Sequence, residues 1–154
     1  MNHTGGTTVS AGGLLLAAST TAPSSGTSGG TGLLSVASGA YLDLGGFAAR
    51  FDGLSGSGTI QNTSSGSTPT LTSPNLVVGN LDNTNMATGA ALTSGQSAFG
   101  GLITDGFGSV GIFFEKVGHG TQTINSAVPQ SFTKGLAVFG GGLVLDMSNM
   151  ATPT

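Results

Sequence analysis

The 154-residue chain has only 6% charged side chains, three Lys or Arg against six Asp or Glu, alongside 37% hydrophobic residues and 29 glycines. Long solvated helices, whose outer faces usually carry Lys, Glu and Arg, are disfavoured. Arg50, Lys116 and Lys134 stand far apart, so neither nucleic-acid phosphates nor an anionic membrane surface has a cation cluster to meet.

In chain order the first apolar segments are Thr7 to Val9 and Leu14 to Ala17, both read as strands. The run Gly12 to Ala18 is the nearest approach to a signal h-region, but only the neutral His3 precedes it and it fits a strand phase; no signal peptide is read here. A low-complexity stretch, 19–32, comes next and is expected to be a solvated loop. Strands are then expected at Leu33 to Val36, Tyr41 to Leu44 and Thr59 to Gln61. A second stretch, 62–73, has almost nothing to bury beyond a short strand at Leu71 to Thr72, and is also expected to be solvated.

The remaining strands are expected at Leu76 to Val78, Phe99 to Ile103, Val110 to Glu115, Thr121 to Ile124, Gly135 to Val138 and Leu143 to Asp146. In Thr121 to Ile124 and Tyr41 to Leu44, neighbouring residues alternate between faces as half-buried strands require. No segment reads as a helix. None approaches the roughly 18 to 20 apolar residues of a membrane span, and zero cysteine excludes disulfides and thiolate metal sites.

Two internal echoes organise these strands. Val9, Gly12, Leu14 and Leu16 recur with the same spacing as Val138, Gly141, Leu143 and Leu145, and with one extra residue as Val36, Gly39, Leu42 and Leu44. LDNTNMAT from Leu81 recurs as LDMSNMAT from Leu145, so that Met86 and Met150 correspond. Echoes of this kind predict a stack of similar rungs, the first and last in the same phase, and one domain spanning 1–154.

Catalytic signatures are weak. Gly106, Gly108 and Gly111 satisfy GxGxxG, but the β-favouring run Ile112 to Phe114 stands where a helix N-terminus should face a pyrophosphate. His3 and His119, the only histidines, read as exposed side chains rather than metal ligands or triad members. Asp43 with Asp52, or Asp82 with Asp146, could in principle act as paired carboxylates, although each fits a turn. Asp82, Asn83 and Asn85 lack the oxygen spacing of a calcium loop. Phe107, Phe113 and Phe114 read as core aromatics rather than a sugar-stacking row. No catalytic, cofactor-binding or metal-binding residue is therefore assigned.

Thr4, Gly5, Gly6, Thr7, Thr8, Val9, Gly12 and Leu14 match the second half of a motif whose first half appears as Lys116, Gly118, Gly120, Thr121 and Thr123. These residues resemble the autotransporter-associated β-strand repeat of bacterial passenger domains, and LLSVASGAYLDL (33–44), GLSGSGTIQ (53–61) and GLITDG (101–106) resemble segments that precede the motif. After Ile124 the usual Asn and Tyr-Thr-Gly turn is replaced by Asn125 to Gly135. The resemblance implies a right-handed parallel β-helix, here of about six short coils, and a structural or adhesive role without a cofactor at the bacterial surface or in secretions. Partners would be further passenger repeats, a carbohydrate or other surface ligand, or the chain itself. The two rival expectations are a filament subunit stacking end to end and a polysaccharide-active β-helix enzyme.

Overall fold

The computed structural model describes residues 6–17, 32–64, 76–79, 84–85, 90–91, 98–106, 111–118 and 120–150. They contain sixteen strands and no helix. Most strands fall into three parallel sheets, A, B and C, which the chain visits in that order again and again. A first circuit supplies β1 (Thr7–Val9) to sheet A and β2 (Gly13–Leu15) to sheet B. The second contributes β3 (Leu33–Val36), β4 (Tyr41–Asp43) and β5 (Ala49–Phe51) to A, B and C, and the third β6 (Gly53–Gly56), β7 (Thr59–Gln61) and β8 (Leu76–Val78).

An antiparallel pair, β9 (Thr84–Asn85) with β10 (Ala90–Ala91), stands apart from the cycle. The fourth circuit resumes with β11 (Ala98–Phe99), β12 (Leu102–Thr104) and β13 (Phe113–Lys116). In the fifth, β14 (Thr121–Ile124) lies in sheet A, Ser131 bridges Thr104 beside sheet B, and β15 (Gly135–Val138) lies in sheet C. Finally β16 (Gly142–Leu145) adds a sixth strand to sheet A. This all-β, three-sheet parallel arrangement is compatible with a β-solenoid. Strands so short could not hold a sheet alone; each is stabilised because the same register recurs above and below it.

Period two decides which residues enter the core. In sheet B, Leu14, Leu42, Ile60 and Ile103 align as one column. In sheet A, Val9, Val36, Gly56, Phe99, Ile124 and Leu145 form another. Sheet C contributes Ala49, Leu76, Phe114 and Leu136, and beside them Phe51, Val78, Lys116 and Val138. The buried hydrophobic members of these columns meet in a single cluster. At about 25 cal/mol per Å² of apolar surface removed from water, this cluster is the main stabilising contribution.

Several expectations change in detail. Phe99 to Ile103 is not one strand but two, β11 and β12, because Gly100 and Gly101 turn the chain from sheet A to sheet B. The strands β5 and β6 were not expected; they flank Asp52, where the chain passes from sheet C to sheet A. The echo of the first rung in the last is real locally, since Gly12 and Gly141 turn with φ of 67° and 66°. Its phase differs, however: the first arch joins sheet A to B, the last joins C to A. An arch is reused at a different corner. Asn62, expected in a solvated excursion, is fully buried. The rest of that stretch from residue 65 on, the stretch 19–31 and Leu71 to Thr72 lie outside the described residues, as do Met86 and the first copy of the LDNTNMAT echo apart from Thr84 and Asn85.

Candidate functional site at the last circuits

Polar side chains hold the corners before any surface is presented. At the turn from sheet B to C, Asp43 Oδ1 accepts the Gly45 and Thr63 amides at 2.9 and 3.1 Å, and its Oδ2 accepts the Thr63 hydroxyl and the Gln61 amide. Burial pushes this carboxyl upward, but the hydrogen bonds from Thr63, Gly45 and Gln61 outweigh it and leave the pKa below its usual value. Asn62, in the third circuit, takes the Gly46 amide of the second on Oδ1 (2.8 Å) and donates Nδ2 to the Gly111 carbonyl of the fourth (3.0 Å). One side chain thus ties three circuits together.

Gln122 plays a similar part inside sheet A. Phe99 pairs with both Gly56 and Ile124, so Leu54 and Gln122, each two positions earlier, share a column on opposite sides of the fourth circuit. Among the described residues β11 comprises Ala98 and Phe99. The Gln122 amide spans the interval: Oε1 accepts the Leu54 amide at 2.9 Å and Nε2 donates to the Leu54 carbonyl at 3.1 Å. Through these two bonds the side chain satisfies the main-chain donor and acceptor of Leu54.

The last circuits are different. Leu136, Val138 and Leu145 belong to inward columns, yet they are 41%, 46% and 49% exposed. At the other end Val9 and Leu16 are buried. An apolar hollow of about 190 Å³ opens among Phe114, Ile124, Phe132, Leu136, Leu145 and Met147. The Phe114 and Phe132 rings stack at its wall, 6.0 Å between centroids. The hollow offers shape and apolar surface, with Gln130 as a polar neighbour, and among the described residues no acid, base or nucleophile lines it.

Beneath this end lies Lys116, fully buried in the column between Val78 and Val138. Its ammonium donates to the Val117 carbonyl at 2.5 Å and the Gly140 carbonyl at 3.4 Å. Burial lowers its pKa.

The residues weighed from sequence are dispersed. Asp43 sits where sheet B leads to C, Asp52 where C leads to A, and Asp146 after the last strand of A, where it accepts the Ser148 amide. Asp105 accepts the Ile112 amide at 2.7 Å across the B-to-C connection. Among the described residues no group of three or more His, Asp or Glu side chains could hold a metal ion. Gly106 and Gly111 both take positive φ, but Gly111 leads into β13 rather than a helix. Phe114 is a core residue and Phe113 faces outward, half-buried. His3, His119, Phe107, Gly108, Asp82 and Asn83 lie outside the described residues, and of Asn85 only the main chain is described.

What the sequence reading missed are the bridging amides Gln122 and Asn62 and the buried Lys116. Strict alternation through Thr121 to Ile124 already places Gln122 on the same face as Ile124; nothing local marks Asn62. No family model, curated protein or solved structure matches the chain.

Proposed function

We propose that this chain is a structural or adhesive segment of a bacterial surface or secreted protein, built as a right-handed parallel β-helix and acting without catalysis. The observation that carries the reading is the cyclic use of three parallel sheets with inward columns running through successive circuits. A stack of that kind is a stiff spacer whose outer faces and corners are free to present contacts, whereas an enzyme of the same class needs acids or bases gathered in one groove. Asp43, Asp105 and Asp146 instead accept backbone amides at separate corners. The repeat resemblance at Thr4 to Leu14 and Lys116 to Thr123 supplies the cellular setting.

The test is surface exposure in the source organism. Antibodies raised against the recombinant chain should label intact cells or the culture medium; labelling that appears only after lysis overturns the reading. Far-UV circular dichroism of the same preparation should give a β spectrum, and a helical one would remove the fold on which the proposal stands.

A further inference from the structure

We infer that the last circuits form a self-complementary interface, and that two copies of this chain join there through a two-fold axis that sets β16 against its own copy. Three observations lead to this pairing: where the apolar surface is, which backbone groups are open, and where charge is missing.

Of the nine large apolar side chains exposed among the described residues, seven lie between Val128 and Met147. Leu136, Val138 and Leu145 are ends of core columns, so the surface they present is a continuation of the circuit-to-circuit packing found throughout the chain. Among the described residues the opposite end does not match it. Val9 and Leu16 are only 7% and 4% exposed, and the two exposed apolar residues of the early circuits, Leu15 and Tyr41, stand on the outer face of sheet B. Within copies of this chain, the apolar counterpart of the last circuits is the last circuits of another copy.

The strand edge agrees. Gly142 and Asp146 donate their amides to the Gly120 and Ile124 carbonyls of the preceding circuit. In a strand, the groups of alternate residues point to opposite sides, so those of Leu143 and Leu145 point away from β14, on the side where no further described strand joins sheet A. Edges of this kind pair readily unless charge or proline blocks them. From Gly135 to Leu145 there is no charged residue and no proline. A two-fold contact places each patch against itself, so this absence removes the like-charge repulsion that would otherwise oppose it. An axis perpendicular to the stack reverses strand direction, making β16 antiparallel to its copy. The result is closed: each dimer uses both of its apolar ends.

Sedimentation or light scattering across a concentration series tests this. The expected mass rises from 14.8 kDa to twice that value and stops there. Leu145→Asp should shift the dissociation constant upward by at least about 100-fold, while Leu15→Asp leaves it unchanged; circular dichroism reports whether each variant is folded. Because the chain has no cysteine, single cysteines at positions 143, 144 and 145 give an independent reading on folded protein. At least one should form a disulfide with itself under mild oxidation, since facing edge residues come within the 4.4 to 6.8 Å Cα separation that a disulfide needs. A mass that stays at 14.8 kDa overturns the inference. So does a mass that grows without limit, or cross-linking of 143–145 to cysteines placed at 7–9 but not to themselves, both of which mean head-to-tail stacking.

Discussion

Lys116 and Gln122 occupy inward positions where a hydrophobic residue would be the ordinary choice, and each does so by reaching main-chain groups. Lys116 has carbonyl partners but is desolvated, so its amine titrates below the usual value of 10.5. Between that lowered value and 10.5 the folded chain binds fewer protons than the unfolded one, so stability rises with pH through this window and the burial cost is fully felt below it. Lys116→Met keeps most of the volume and removes the charge. At about pH 7 its stability should lie within about 1.5 kcal/mol of the parent, and the rise in urea midpoint between about pH 7 and about pH 10 should shrink. An equal rise in both proteins would mean that Lys116 is not the group responsible. Gln122→Ala differs in kind, because it orphans a buried amide and a buried carbonyl on Leu54. A loss of about 1–3 kcal/mol is expected in the same titration, and a loss below about 0.5 kcal/mol would show that water replaces the side chain.

At the level of strands and corners, glycine decides where the chain can leave one sheet for the next. Gly56 ends β6 with φ of 92°, and a Cβ there would run into the Val36 carbonyl oxygen of the circuit before. Gly12 turns with φ of 67° but has open space where its Cβ would be. Gly12→Ala should therefore cost about 1–2 kcal/mol, the conformational term alone. Gly56→Ala adds a backbone collision inside sheet A and should cost more than about 3 kcal/mol or prevent folding. Thermal or urea unfolding of the two variants separates the terms, and equal losses would show that the circuits shift apart to make room.

The element scale also shows what sequence could convey. Strands such as Thr7 to Val9, Leu33 to Val36 and Thr121 to Ile124 were legible because alternation and flanking small residues are local signals. The pair β5 and β6 was not, because Ala49, Arg50 and Phe51 alternate for only three residues and Asp52 and Gly53 read as a turn ending the segment. The phase of the echo was hidden for a deeper reason: an arch of two strands around a positive-φ glycine has the same residue pattern whichever two sheets it joins. Of the candidate end surface, the apolar residues Leu136, Val138 and Leu145 were visible, but their exposure depends on whether another circuit covers them, which no local pattern encodes.

For the whole molecule, the stack is held by contacts between neighbouring circuits, with Gln122 as one reach across an intervening circuit. Stability in such a system is close to a sum over circuits and their interfaces. The interval between β8 and β11 holds the β9–β10 pair, yet sheet A continues through it with Gly56, Phe99 and Ile124 in one column. The chain between β8 and β11 is longer than the other connections from sheet C to sheet A, and the sheet A register is the same on either side of it. A flexible peptide of about ten residues inserted between Asn85 and Ala90 should therefore shift the urea midpoint little, at a loop-closure cost of about 1 kcal/mol or less. The same insertion within β14 should abolish cooperative unfolding, and equal damage from both would mean that the β9–β10 pair is part of the ladder's support. If the corner tolerates the graft, the register of the sheets and the sequence carried at that corner can vary independently. The fold then behaves as a ruler with replaceable markings: recognition can be altered at one position while the spacing between positions, set by strand separation, stays fixed.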